Sequence, residues 1–147
     1  MIRLYREDDF EIVTKFWHEA MRVAIPELDA RMGRTLKDAR TLFRNEIAVE
    51  NQIWVYELGD IPVGYLGIQG EFIDRLYVDP AFHRRGIGQA LLDHARTLSP
   101  KHLWLYTHVA NEMARAFYAK NGFISEKFGM SPPPESEPDV EYHWRNP

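Results

Sequence analysis

His83-Arg84-Arg85-Gly86-Ile87-Gly88-Gln89-Ala90 decides how this chain is read, because two glycines and two arginines stand there between a strand-like run and a helical one. Upstream, Phe72-Ile73-Asp74-Arg75-Leu76-Tyr77-Val78 reads as a strand and Asp79-Pro80 as a turn; downstream, Ala90 to Arg96 has helical propensity and spacing. The glycines therefore open a helix. A helix start leaves its first N–H groups without intrahelical partners and carries partial positive charge. Gly86 and Gly88 let a ligand approach the backbone closely, and Arg84 and Arg85 add full charges beside it, so the expected ligand is a phosphate or pyrophosphate. No Gly-x-x-x-x-Gly-Lys-Ser/Thr is present, and Leu91 stands where a dinucleotide fingerprint needs its third glycine. The anion belongs to some other cofactor.

Outward from this segment the pattern predicts a strand over Ile2 to Arg6, then a helix from Asp8 that ends before Pro26 and buries Phe10, Val13, Trp17, Ala20 and Ala24. Residues 25 to 34 read as a loop. A second helix starts at the capping box Thr35-Leu36-Lys37-Asp38, with Leu36, Ala39, Leu42, Phe43 and Ile47 on its buried stripe. Gln52 to Leu58 and Val63 to Gln69 form a hairpin across Gly59-Asp60-Ile61-Pro62, and the strand after Gly70 completes an antiparallel meander. Ser99-Pro100 stops the cradle helix, and His102 to Thr107 returns as a strand, giving a βαβ unit. Asn111 to Asn121 is a helix terminated at Gly122, Phe123 to Met130 a strand, the proline-rich Ser131 to Pro138 an exposed connection, and Val140 to Trp144 a last strand.

At 147 residues with 45% hydrophobic content the chain suits one domain, residues 1 to 147, with a substantial core. Eighteen Lys plus Arg against 22 Asp plus Glu give a net charge of −4, which argues against a nucleic-acid partner. With no cysteine, no signal-peptide apolar region at Met1 to Arg6 and no long apolar run, a cytoplasmic protein without a membrane span is expected. The six histidines show no metal-ligand spacing, so no metal is expected.

Three features together resemble the GNAT superfamily of acyl-CoA-dependent N-acyltransferases. They are Leu76-Tyr77-Val78-Asp79-Pro80 followed by Arg84 to Leu92, the segment Asn111 to Phe123 with its Phe117-Tyr118 and Gly122-Phe123 pairs, and the β-α-α-β-β-β-α-β-α-β-β order. The resemblance implies an α/β fold of the α+β kind, a mixed, largely antiparallel sheet with helices on both faces, that binds acetyl-CoA between strands splayed after Val78. It implies that the main chain of Leu76, Tyr77 and Val78 meets the pantetheine arm, with an N–H aimed at the thioester carbonyl. The loop of His83, Arg84, Arg85, Gly86, Ile87, Gly88, Gln89 and Ala90 would hold the pyrophosphate, His83 standing where the family usually has Gln or Arg. Asn111 would contact the pantetheine side, and Tyr118 would act as general acid near the sulfur. As ordinary structure, Asn111 is a helix N-cap and Tyr118 a core aromatic.

The implied reaction is direct transfer of an acetyl group to a primary amine in a ternary complex, since there is no cysteine to acylate. The other reading is a coenzyme A-binding sensor or scaffold without transfer. An amine of pKa about 10.4 must lose a proton before it attacks, so a base is needed. The histone-modifying branch of the family has a glutamate on strand four, and gap-free counting from Gly86 puts Phe72 there. Candidate bases are Glu71, His108, Asp74 and Glu27, with Glu71 and His108 ranked first. Alternation puts Glu71 and Asp74 on opposite faces unless a bulge intervenes. In this family, loops corresponding to Ile25 to Arg34 and Ser131 to Asp139 shape the acceptor pocket. Their Glu27, Asp29, Glu135, Glu137 and Asp139 suit a cationic acceptor such as a lysine side chain, an N-terminus or a polyamine. Small enzymes of this type are often homodimers.

Overall fold

The antiparallel meander expected in the middle of the chain forms half of one sheet, and the cradle helix lies across it. The structure, a computed structural model, describes residues 1–147. In chain order the elements are β1 (Ile2–Leu4), α1 (Phe10–Ala24), α2 (Pro26–Met32), α3 (Leu36–Leu42), α4 (Ala48–Glu50), β2 (Gln52–Leu58), β3 (Ile61–Gln69) and β4 (Phe72–Val78). There follow α5 (Ile87–Leu98), β5 (His102–His108), α6 (Glu112–Lys120), β6 (Ile124–Met130) and β7 (Pro138–Arg145). No helix is long and apolar enough to cross a membrane.

Three expected element boundaries are corrected. Residues 25 to 34 contain a helix, α2, because Pro26 opens it at a position where the missing N–H costs nothing, and Gly33 closes it with φ 61° and an N–H to the Asp29 carbonyl at 2.9 Å. The β2–β3 hairpin turns on two residues rather than four. Gly59 and Asp60 both have positive φ, 55° and 67°, as a twist-matched two-residue turn requires, so β3 starts at Ile61 and takes in Pro62 beside a register shift. The last strand likewise starts at Pro138. The second helix does run to Ile47, but through a π-helical turn over Phe43–Ile47.

The seven strands lie in the order β1-β2-β3-β4-β5-β7-β6 and are antiparallel except for β4 and β5. That one parallel pair meets only at Phe72 and Trp104, held by the Trp104 N–H on the Glu71 carbonyl at 3.0 Å. The strands thus part at the start of β4, not after Val78 as expected, and most of β4 borders an open gap. On one face of the sheet Val13, Phe16, Trp17, Ala39, Phe43 and Ile47 pack on Ile53, Val55 and Tyr65. On the other, Leu91, Leu92, Ala95 and Tyr118 pack on Leu66, Ile73, Leu103, Leu105 and Val140. Gly64 lets α5 lie close to β3, since a Cβ there would stand 2.9 Å from Ile87 Cγ2 and 3.3 Å from the Tyr77 carbonyl oxygen. That contact sets where the N-terminus of α5 points.

Candidate active site

Gly86 precedes α5 in a left-handed conformation, φ 77°, and Arg84 is also left-handed, φ 64°. The first backbone bond of the helix runs from the Ala90 N–H to the Gly86 carbonyl at 3.0 Å, so the N–H groups of Ile87, Gly88 and Gln89 precede the intrahelical ladder and are available to a ligand. Ile87 is buried and anchors the turn, while Arg84 and Arg85 are exposed. A Cβ on Gly88 would stand 3.7 Å from Val78 Cγ2 and 3.8 Å from the Phe117 ring, so its bare Cα floors a notch where β4, α5 and α6 meet. His83 Nε2 lies 3.3 Å from the Val78 carbonyl oxygen. This cradle fits a pyrophosphate.

The Asp79 N–H bonds the Val63 carbonyl at 2.8 Å, which fixes the alternation along β4. The backbone groups of Tyr77 turn to β3, and those of Leu76 and Val78 turn to the gap. Side chains alternate as well: Leu76 and Val78 join the core under α5, whereas Tyr77 stacks on Tyr65 at 6.0 Å under α1. Leu76 and Val78 therefore offer main-chain groups to a ligand in the gap, and Tyr77 does not. A bulge follows. Gly67 pairs with Arg75 and Ile68 with Ile73, leaving Asp74 as the extra residue. Asp74 thereby lines the same two cavities as Arg75 and Tyr77, and its carboxylate accepts from Asn51 Nδ2 at 2.8 Å.

The two cavities measure about 430 and 550 Å³ and share Asp74, Arg75, Tyr77, His108, Asn111 and Glu135. Asn111 caps α6, its Oδ1 accepting from the Ala114 N–H at 3.1 Å, so it is both a cap and a wall of the site. His108 Nε2 lies 3.1 Å from Glu135 Oε1, and His108 Nδ1 is buried without a partner. That hydrogen bond, above all other influences, holds the Glu135 carboxyl down at about 2; Arg34 sits 3.4 Å from its other oxygen. A carboxyl depressed in this way stabilises the fold fully above its ordinary value of 4.5 and loses that contribution as pH falls towards 2. Thermal melts should accordingly show wild type and Glu135→Gln converging across that interval; a gap in Tm that stays constant from neutral pH to pH 2 would contradict it.

Two of the four remaining acidic loop residues are met by cations. Glu137 pairs with Arg31 at 2.7 Å and Asp29 with Arg22 at 3.6 Å. Glu27 is exposed on α2 and lines neither cavity. Glu71, in the turn before β4, has 57% of its side chain exposed and also lines neither. Its carboxylate meets His102 Nδ1 at 3.1 Å, and the chain continues through His102 Nε2 and His143 Nδ1 at 2.8 Å to Glu141 at 2.7 Å. Phe72, at the position of the glutamate of the other branch, packs against Trp104 with the ring centroids 4.6 Å apart. The structure thus gathers His108 and Asp74 but leaves Glu71 and Glu27 apart from them. Sequence reasoning named Glu135 only as one acid of a loop; its pairing with His108 requires the β5–β7 register, which places Asp139 opposite His108.

Tyr118 is 7% exposed and packs against Phe117, Phe123 and Tyr142. Burial, with a smaller contribution from Tyr77, pushes its phenol well above the ordinary value. The helix end fixes it. The Phe123 N–H bonds the Tyr118 carbonyl at 3.0 Å and the Gly122 N–H bonds that of Ala119 at 3.1 Å, with Gly122 at φ 84° and the Tyr118 and Phe123 rings 5.3 Å apart. These are the two bonds and the apolar contact of a Schellman end, so Gly122-Phe123 locks the aromatic four residues before the glycine in place. No group of three or more His, Cys, Asp or Glu side chains is arranged to hold a metal ion.

A helix-opening anion cradle lies beside a gap in a mixed sheet, and cavities with charged side chains on their walls lie on the opposite face, an arrangement suited to a transferase whose donor bears phosphate. Comparison gives the family. Residues 49–125 match the model of the acetyltransferase (GNAT) domain. The chain is 31% identical to peptidyl-lysine N-acetyltransferase YiaC of Escherichia coli (strain K12) over 84% of its length and 82% of the relative's. It is 30% identical to peptidyl-lysine N-acetyltransferase YjaB of the same organism over 83% and 80%. The apo-form solution structure of YjaB from Escherichia coli superposes with a TM-score of 0.82 at 26% identity, covering 97% of this chain and 95% of that one. The PaiA N-acetyltransferase of Thermoplasma acidophilum in complex with coenzyme A gives a TM-score of 0.69 at 19% identity over 99% and 98%. The chain belongs to the GNAT family and is an acetyl-CoA-dependent N-acetyltransferase.

Proposed function

We propose that this enzyme acetylates the side-chain amine of lysine in proteins or peptides, by direct transfer within a ternary complex in the cytoplasm. The observation that carries the proposal is the division of β4: Leu76 and Val78 share one face with the cradle, while the bulged Asp74 faces the cavities that hold the His108–Glu135 pair. The two peptidyl-lysine relatives supply the acceptor class.

Acetyl-CoA, when bound, supplies an activated acyl group on a thioester. The first-turn N–H groups of α5 with Arg84 and Arg85 hold its pyrophosphate, and the backbone of Leu76 and Val78 holds the pantetheine arm. The Val78 N–H faces the gap, where it stabilises the carbonyl oxygen as that atom becomes negative on attack. Asp74 on the cavity wall attracts the ammonium. The His108–Glu135 pair on the cavity wall takes, directly or through water, the proton that the amine must lose. Tyr118 donates to the departing sulfur.

Mass spectrometry after incubation with acetyl-CoA and a lysine peptide tests the activity, and initial velocities with both substrates varied should give intersecting lines. Parallel lines would remove the ternary complex. His108→Gln should lower kcat about a hundredfold at pH 7, with the deficit narrowing as pH rises and the free amine becomes abundant. A deficit independent of pH would take His108 out of the proton transfer.

A further inference from the structure

Arg75 carries a positive charge into the acceptor site that the protein itself leaves poorly matched. Its side chain, 27% exposed, lines both cavities where they meet. The one carboxylate beside it is Asp74, 3.6 Å from Nε, and that carboxylate already accepts from Asn51 Nδ2 at 2.8 Å. Arg75 Nε is buried with no acceptor. Behind it no neighbour carries negative charge: the guanidinium lies 5.7 Å over the Trp17 ring, and the polar groups beside it are the neutral phenols of Tyr77 and Tyr65, the latter's hydroxyl buried without a partner. The other arginine on the cavity wall, Arg34, is taken up by Glu135 at 3.4 Å. A guanidinium has five donors in a planar fork that matches a carboxylate, so a partly desolvated one whose other neighbours are neutral favours an incoming carboxylate.

We infer that Arg75 is a specificity residue that binds a carboxylate carried by the acceptor close to its reacting amine. Asp74 and Arg75, adjacent on the bulge, then present one charge of each sign to a substrate that bears both. This rests on the amine-acetylation reading above. The carboxylate has two sources: an acidic side chain beside a lysine in a peptide, or the α-carboxylate of a free amino acid.

The experiment compares kcat/KM for a peptide whose acceptor lysine neighbours glutamate with the same peptide carrying glutamine there, and for free lysine with lysinamide. Wild type should prefer the carboxylate-bearing member of at least one pair by about tenfold or more, and the pair that shows it identifies the source. In Arg75→Gln that preference should fall to within about twofold, whereas Arg75→Lys should keep part of it. Equal turnover within both pairs by wild type overturns the assignment while leaving amine acetylation standing, and this comparison needs no variant to fold. Preference retained in a folded Arg75→Gln overturns it too. Turnover of none of the four acceptors removes amine acetylation and this assignment together.

Discussion

Tyr118→Phe should lower kcat about a hundredfold while changing the KM for acetyl-CoA by far less, as the loss of a single general acid does. The substitution removes one oxygen and keeps the ring, so the contacts with Phe117, Phe123 and Tyr142 persist and the fold is expected to stand. The raised phenol sharpens the expectation. A hydroxyl held well above its ordinary value stays protonated at every pH at which the enzyme works, so it donates and does not serve as a base. The kcat deficit should therefore show no alkaline recovery, unlike that of His108→Gln. An unchanged kcat would return Tyr118 to the core and leave the leaving group to water.

Gly88→Asp should separate cofactor binding from stability with opposite signs. The new Cβ meets Val78 and Phe117 at ordinary contact distances, and an acid in the first turn of α5 complements the helix dipole. Replacing glycine in a helix with aspartate adds about 0.3 kcal/mol more, so Tm should rise by a few degrees. A carboxylate about 5 Å from a phosphate, at an effective dielectric near 20, repels it by about 3 kcal/mol, which corresponds to roughly a hundredfold weaker binding. Calorimetry with coenzyme A and a thermal melt on the same sample read both effects. Unimpaired affinity would place the pyrophosphate elsewhere.

The parts of this fold that were legible are those in which local chemistry dictates the outcome. Two glycines after a strand, a capping Asn111 and a terminating Gly122 each settle a helix end without reference to the rest of the molecule. α2 was missed because Pro26 was read as the end of one helix, although with Glu27 and Asp29 behind it and Gly33 beyond it is equally the start of another. The two-residue hairpin was hidden by Pro62, which a regular central strand excludes but a register shift tolerates. For the site, the donor side was written in contiguous sequence and the acceptor side was not. Whether Asp74 faces the cavities depends on a bulge, and the His108–Glu135 pair depends on how β7 aligns with β5, both decided by tertiary packing. Glu71 ranked high because it neighbours β4 in sequence; the structure commits its carboxylate to His102.

The single pairing of β4 with β5 has a consequence for how the chain behaves in a crowded cell. Past Phe72 and Trp104 the sheet has two additional edges in its middle, and main-chain groups such as those of Leu76 and Val78 are open to any extended segment that reaches them. Unpaired strand edges template intermolecular association, and the usual protections, a short outer strand or a covering helix, do not act inside a sheet. Here the divergence of the strands and the imidazole of His83 at the Val78 carbonyl are the local safeguards. A ligand lying along β4 satisfies the same groups, and by mass action it shifts the population away from the association-prone form. Any ligand held along β4 thus protects the sheet from self-association.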